Sequence, residues 1–327
     1  MRGSALTGGL AGVAFAFCLS LSAHAQAVRT WVSGVGNDAN PCSITAPCKT
    51  FATAISKTAA SGIINCLDAG GFGAVTITKP ITIRCSGRNK GGVLASTTNG
   101  VTINVANAGA MVTLEDFAID GNISGVSGVR MINNAAVLHL ENVYIDQFQN
   151  SGVGEGYGVI IAPTTGVAEL YVANSTINDN GGAGGGGGIL LAPSGTASVA
   201  ATLSNVQVLN NRFGVKGDAT YASGTTGQIA FSVQDSMIAG NTGSGFSAVS
   251  AAGKGAVTAV LSNSTSAYNS SGVTANGPGA TVRVGGSTLA GNLGQQFQVQ
   301  NGGQTRSSGN NTVLGVVGAI SGVDPLM

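Results

Sequence analysis

Two acidic pairs with the same internal spacing follow each other in the first half of the chain. Glu115 and Asp120 form the first pair, and Glu141 and Asp146 form the second. If successive repeats stack in register, the like charges of the two pairs lie side by side. This arrangement costs energy unless a cation binds or a carboxyl group keeps its proton. Calcium prefers carboxylate oxygens. The pattern therefore predicts a calcium site at Asp120, Asp146, Glu115 and Glu141, although nothing else in the sequence requires a cofactor.

Two further side chains extend this candidate site. Arg130 is expected to point outward from the next strand, where its guanidinium would pair with one carboxylate. Tyr144 precedes Asp146 by two residues, so on a strand both side chains lie on one face, and its ring would suit a sugar. The predicted ligand-binding residues are thus Asp120, Asp146, Arg130 and Tyr144, while the catalytic residues stay unknown. The alternative is that these charges are solvated surface residues.

An internal repeat must position these residues. At intervals of 23 to 32 residues the chain returns to an aliphatic residue, with Asn or Asp two positions later, an aliphatic residue five later and Asn eight later. A unit that cannot bury its own apolar face must stack on its neighbours, so the repeat predicts a solenoid. Apolar residues alternate within each unit, which indicates three strands per coil, and the asparagines are interpreted as structural ladders at the corners. The clearest copies begin at Leu114, Val172, Leu203 and Val233.

Two apolar residues occupy outward positions of the third strand. Ile160 and Leu190 follow Arg130 in this column, and the loops after Gln147 and Asn180 are longer than elsewhere. Together these features predict a covered or partner-binding face around residues 120 to 190. The alternative is that the loops fold over the two side chains.

The N-terminal segment indicates export. Residues 1–25 have a basic start, an apolar run and small residues before position 26, which predicts a signal peptide cleaved near Ala25 and a secreted or periplasmic protein without a later membrane span. Four cysteines then remain, and three disulfide pairings are possible. Their spacing is unlike that of a zinc site, and we favour pairing Cys42 with Cys48 and Cys66 with Cys85.

A short helix over Lys49 to Lys57 is predicted ahead of the repeat, with Phe51, Ala54 and Ile55 on one face, as an end cap for the solenoid. The predicted organisation is a signal peptide (1–25), an N-terminal cap with the first coils (26–100), the repeats (101–312) and a C-terminal cap or tail (313–327).

The N-terminal motifs carry a family resemblance. Thr30-Trp31-Val32-Ser33-Gly34, Ala46-Pro47-Cys48-Lys49-Thr50-Phe51 and Gly71-Phe72-Gly73 resemble the start of secreted bacterial right-handed parallel β-helix proteins of the pectate-lyase-like superfamily. With the repeats, the resemblance covers nearly all of residues 29 to 312. It implies an all-β, right-handed parallel β-helix with three strands per coil. The superfamily includes polysaccharide lyases, hydrolases, epimerases and adhesins, so it leaves the activity open.

Catalytic patterns of that superfamily are largely missing. Its polygalacturonase-like hydrolases use paired aspartates with a Gly-His-Gly element, whereas the histidine after the signal segment, His139, lies in Leu138-His139-Leu140 at an outward position without an obvious partner. Without residues 1–25 the chain has 13 basic and 13 acidic residues, which argues against nucleic acid as a partner. The sequence favours a non-catalytic module that binds glycan or cell-surface material. The alternatives are a calcium-assisted polysaccharide lyase or glycoside hydrolase, and an adhesin or assembly subunit that uses the Ile160 and Leu190 face.

Overall fold

The computed structural model describes residues 26–85, 91–152 and 154–325. These residues form a parallel β-solenoid of three sheets, called A, B and C, with strands numbered along the chain. Sheet A has twelve strands, which are, in spatial order, β1 (Ala27–Val32), β2 (Thr58–Cys66), β4 (Ile81–Arg84), β7 (Ala110–Glu115), β10 (Ala136–Glu141), β13 (Val167–Ala173), β16 (Ser198–Ser204), β19 (Ile229–Gln234), β22 (Val257–Ser262), β25 (Ala280–Gly285), β28 (Gln304–Ser307) and β30 (Gly322–Val323).

Sheets B and C have nine strands each. Sheet B contains β5 (Gly92–Leu94), β8 (Ala118–Asp120), β11 (Tyr144–Asp146), β14 (Thr176–Asn178), β17 (Gln207–Leu209), β20 (Met237–Ala239), β23 (Thr265–Ala267), β26 (Thr288–Ala290) and β29 (Thr312–Leu314). Sheet C contains β3 (Val75–Ile77), β6 (Asn99–Ile103), β9 (Ser127–Asn134), β12 (Tyr157–Thr165), β15 (Gly187–Leu191), β18 (Val215–Asp218), β21 (Ser244–Val249), β24 (Ser271–Asn276) and β27 (Phe297–Gln300).

The alternation of apolar residues explains the core. Each coil sends aliphatic or aromatic side chains inward from all three sheets, as Leu140, Ile145 and Val159 do in one coil, and these three are at most 1% exposed. The next strand of the same sheet follows one full coil later, which supplies the crossover that a parallel pair needs. The predicted all-β, right-handed parallel β-helix with three strands per coil is confirmed.

The corner between sheets A and B requires a left-handed backbone. The Asn or Asp of each repeat lies there with φ between 47° and 55°, a region that these two residue types tolerate better than other side chains do. The residues are Asp116, Asn142, Asn174, Asn205, Asp235 and Asn263.

A second asparagine column lies inside the solenoid, after sheet B. Asn180, Asn211, Asn241 and Asn269 are buried, and the backbone and side-chain nitrogens of Asn180 both donate to Oδ1 of Asn211 at 2.9 and 3.0 Å. The same pattern repeats along the column. Asn122 of the first copy stays outside this ladder, because its side chain is exposed and donates to Ser96 Oγ.

The N-terminal end is capped as predicted. Helix α1 (Phe51–Lys57) begins after Thr50, whose hydroxyl accepts from the backbone N–H of Thr53. The buried Phe51 ring lies 5.2 Å from the ring of Phe72 and 5.4 Å from that of Phe117, so the helix covers the first apolar coils.

Both favoured disulfides are present. Cys42 is bonded to Cys48, and Cys66 is bonded to Cys85, with 4.6 Å between the Cα atoms of each pair. Cys66 ends β2 and Cys85 follows its neighbour β4, so the strands that these cysteines end are adjacent, as expected. The proposed signal peptide, residues 1–25, lies outside the described residues. Within the described ranges, no helix is long and apolar enough to cross a membrane.

Candidate functional site

The predicted aspartates lie side by side on the outer face of sheet B. Asp146 pairs in register with Asp120 on one side and with Asn178 on the other. Tyr144 lies two residues away on the same face, with 40% of its surface exposed. The column continues with Leu209 and then alanines, so the acidic part is confined to two adjacent coils.

Burial and the neighbouring negative charges both raise the pKa of Asp146. Burial is the largest effect, and with the neighbouring carboxylates of Asp120 and Asp179 it raises the pKa of Asp146 to about 6, against a weaker opposing hydrogen bond from Tyr144. Asp120 is stabilised by a 2.7 Å hydrogen bond from the backbone N–H of Asn122. Below about pH 6 Asp146 therefore holds a proton, and above that pH the two adjacent carboxylates would attract a cation.

The two glutamates form a separate pair at the end of sheet A. Glu115 lies beside Glu141 in register, but Arg84 makes a 2.7 Å ion pair with Glu115. Glu141 accepts a 2.6 Å hydrogen bond from the amide of Asn174. In the part of the chain that the structure describes, no three His, Cys, Asp or Glu side chains converge as metal ligands would. The four predicted calcium ligands are thus two separate pairs, of which Asp120 and Asp146 lack a paired cation among the described residues.

Arg130 lies apart from the aspartates. It is on β9 of sheet C, and its Nη1 donates to the backbone oxygen of Gly154 at 3.2 Å. Among the described residues it makes no ion pair with Asp120 or Asp146. The expected pairing is therefore wrong, because sheets B and C face different sides of the solenoid.

Ile160 and Leu190 do point outward from sheet C, but they are only 0% and 1% exposed. Tyr157, Phe213 and Tyr221 pack around them in a small cluster outside the main core. The expected apolar partner-binding face is therefore not available. The two side chains are covered, but the covering rings of Phe213 and Tyr221 come from the segments on either side of β18 and not from the loops after Gln147 and Asn180 that the alternative expected.

A polar groove opens on sheet C beyond this cluster. It crosses β18, β21, β24 and β27 and has a volume of about 450 Å³. Its lining consists mainly of hydroxyl and amide side chains, with two cations and, among the described residues, no carboxylate. Arg212, Phe213, Lys216, Ser247, Thr274 and Gln298 are its main lining residues. We call this the sheet C groove.

The two cations are held at one end of the sheet C groove. Arg212 Nη1 donates to the backbone oxygens of Gly182 and Ala183 at 2.9 and 2.8 Å. The guanidinium has five N–H donors, so most of them remain for a ligand. Lys216 Nζ lies 4.6 Å from the ring centre of Phe213 and 3.9 Å from a carboxylate oxygen of Asp218. Two cations beside one carboxylate, that of Asp218, leave this end of the groove with a net positive charge.

Ser247 on the groove floor has an unused hydroxyl. Its residue surface is 3% exposed, and its Oγ has no hydrogen-bond partner, whereas Thr274 beside it donates to Gln298 Oε1 at 3.1 Å. A buried hydroxyl without a partner destabilises the fold. A ligand oxygen at this position would remove that cost.

Sequence reasoning did not identify the sheet C groove, although the repeat contained a signal. Arg130, Ile160 and Leu190 form one outward column of the repeat, and the same column continues through Lys216 and Ser247. Aligning the later repeats on this column places Lys216, Ser247 and Thr274 on successive coils of the outer face of sheet C.

No protein-family model matches the sequence, and neither does any curated protein. Among solved structures, the pectate lyase Pel9A is similar with a TM-score of 0.65 and 15% identity, over 91% of this chain and 78% of that one. A GH136 lacto-N-biosidase from Eubacterium ramulus is similar with a TM-score of 0.46 and 12% identity, over 91% of this chain and 68% of that one. The likeness to Pel9A is one of fold, and this chain has the pectate-lyase-like β-helix fold.

Proposed function

We propose that this β-helix is a non-catalytic module that binds an acidic polysaccharide in the sheet C groove. The observation that carries the proposal is the buried, unpartnered hydroxyl of Ser247, which lies between Lys216 and Thr274 in the ladder. A sugar hydroxyl or carboxylate oxygen at this position would accept its hydrogen bond.

Charge and polarity indicate the class of ligand. Hydroxyl and amide side chains can both donate to and accept from sugar hydroxyls. Arg212 and Lys216 add two positive charges, and charge-assisted bonds to a uronic acid carboxylate are the stronger kind. That a pectate lyase has this fold supports a polysaccharide ligand, without fixing what this chain does with it.

The chemistry of the lining argues against hydrolysis of a glycosidic bond. Most glycoside hydrolases use a pair of carboxyl groups beside the scissile bond, and the described lining contains neither a carboxylate nor a histidine. The alternative of a calcium-assisted lyase or a hydrolase would be detected as chain shortening in the experiment below.

The proposal also includes a weak calcium site and a secreted or periplasmic location. Asp120 and Asp146 would hold calcium with Asn178 at the edge, and two carboxylates without a third acidic ligand imply low affinity. The two disulfides fit an oxidising compartment, which supports a secreted or periplasmic location.

Calorimetric titration with polygalacturonate and with neutral dextran tests this function. Wild type should bind polygalacturonate, and added salt should weaken this binding because the attraction is electrostatic. Any binding of dextran should be insensitive to salt. Lys216→Gln and Ser247→Ala should each weaken binding about tenfold, the size expected when one hydrogen bond to a charged group is lost. Lys254→Gln, which removes an exposed cation outside the groove, serves as the control.

Two outcomes would count against the proposal. Equal binding by wild type and Lys216→Gln would exclude this groove as the site. New reducing ends or unsaturated products after incubation with polygalacturonate would show that the protein is an enzyme.

A further inference from the structure

Two aromatic side chains stack on the outer face of sheet A, away from the Asp120 and Asp146 pair on sheet B and from the sheet C groove. His139 on β10 and Tyr171 on β13 are direct neighbours in the ladder, with ring centres 4.7 Å apart and planes inclined by 25°. The expectation that His139 has no partner is wrong, because the repeat places Tyr171 beside it one coil later.

The Tyr171 ring is held in place but remains accessible. Its hydroxyl donates to Glu169 Oε2 at 2.7 Å, and 41% of the residue surface is exposed. His139 covers the ring from the β10 side. The β16 side of the ring faces the next coil, where the side chains are much smaller.

This change in side-chain size creates a groove of about 310 Å³, with Tyr171 as one wall. Ala200 and Ala230 form its apolar floor, and Thr202, Ser232 and Thr258 contribute hydroxyls along it. We call this the sheet A groove. Its volume lies at the lower end of the range for small-ligand sites, which suits one or two sugar rings.

The chemistry of the sheet A groove selects a neutral ligand. Among the described residues its lining contains no charged side chain, and the carboxylate of Glu169 already binds the Tyr171 hydroxyl. The strands beneath are paired on both edges, so their backbone groups cannot bind an added peptide strand. What remains is an aromatic face and a row of hydroxyls.

We propose that the sheet A groove binds a neutral saccharide, whose apolar C–H face stacks on Tyr171 and whose hydroxyls bond to Thr202, Ser232 and Thr258. A pyranose ring has one apolar face and a rim of hydroxyl groups, which matches an aromatic wall above an alanine floor. This site differs from the sheet C groove in its face, its charge and its ligand, and it stands whether or not that groove binds acidic polysaccharide.

Saturation-transfer NMR and calorimetry on the full chain test the site with cellotetraose, mannotetraose and, as the anionic comparison, tetragalacturonate. At least one neutral probe should bind wild type and receive saturation at its ring C–H protons. Tyr171→Ala should lose about tenfold in affinity, the upper range for an aromatic contact. Tyr171→Phe keeps the ring and should retain most of the binding.

Ala230→Gln provides an independent variant, because position 230 is exposed and a longer side chain there blocks the floor without touching the core. It should abolish binding of the neutral probe. Tyr268→Asn removes another exposed ring, at a corner where Asn tolerates the left-handed backbone, and should leave binding unchanged.

The proposal is overturned if neither neutral probe binds wild type, or if Tyr171→Ala and Ala230→Gln bind as wild type does. Binding of tetragalacturonate alone, unaffected by Tyr171→Ala, would also overturn it while leaving the proposed function of the sheet C groove intact.

Discussion

Asp146 lies directly beside Asp120 in sheet B, and among the described residues neither carboxylate has a paired cation. Burial first, and then the charges of Asp120 and Asp179, raise the pKa of Asp146 from 3.8 to about 6. The native state therefore holds this proton more tightly than the unfolded chain does. The free energy of unfolding should fall as pH rises from about 4 to about 6, and the loss should persist above that range.

Asp146→Asn should remove this pH dependence. After allowance for solvent screening, we expect the variant to be more stable than wild type by about 1 kcal/mol near pH 7 and equal to it near pH 4. Urea unfolding at both pH values measures the difference. Asp235→Asn, at an exposed corner, is the control. A constant difference between wild type and Asp146→Asn at both pH values would contradict the raised pKa.

Calcium should act on the same pair. At about 10 mM, above the millimolar dissociation constants of weak extracellular sites, calcium should raise the melting temperature of wild type at neutral pH by linkage. The double variant Asp120→Asn/Asp146→Asn should lose this rise. Glu115→Gln/Glu141→Gln should keep it, because Glu115 is already paired with Arg84. If both double variants keep the rise, the aspartates are not the ligands.

The register of the solenoid can be tested at adjacent residues of β14. Ile177 is fully buried, whereas Thr176 faces outward beside Tyr144. Ile177→Asp places a carboxylate in the apolar core and should lower the free energy of unfolding by about 3 kcal/mol or more. Thr176→Asp should cost less than about 1 kcal/mol. Chemical denaturation measures both, and equal costs would exclude this register.

The fold could be predicted from sequence because the repeat and the alternation act together. The spacing of Ile119, Ile145 and Ile177 defines one inward column, and the same alignment places Asp120 beside Asp146. The apolar face that contains Phe51 predicts the capping helix, and the position of Cys66 and Cys85 at the ends of neighbouring strands predicts their disulfide.

Relations between sheets could not be predicted in the same way. The repeat fixes which residues share a column, but it does not fix the angle between columns, so it could not show that Arg130 faces away from the aspartates. Which residues cover Ile160 also escaped prediction, because Phe213 and Tyr221 occur once and not in every coil. The unpartnered hydroxyl of Ser247 depends on its surroundings in three dimensions.

The buried asparagine column yields the sharpest stability prediction. Asn211 Oδ1 accepts from both nitrogens of Asn180, and Asn211 Nδ2 donates to the backbone oxygen of Ile177. Asn211→Ala would remove these partners from the buried backbone N–H of Asn180 and from the backbone oxygen of Ile177, whereas Asn180 Nδ2 still donates to the backbone oxygen of Asn178. Each buried group that is left unpaired costs about 1 to 3 kcal/mol. We therefore expect the free energy of unfolding to fall by about 3 kcal/mol or more, measured by urea denaturation.

Gln234→Ala is the matched control for Asn211→Ala, because it removes an exposed amide whose one hydrogen bond, to Ser204 Oγ, is 3.3 Å long. It should change stability by less than about 0.5 kcal/mol. Hydrogen exchange adds a local test: in Asn211→Ala the backbone N–H of Asn180 should lose protection, while that of Asn241, which donates to Asn269, should keep it. Unchanged protection at Asn180 would mean that the corner has found another acceptor, and the ladder would then not be what holds the coils in register.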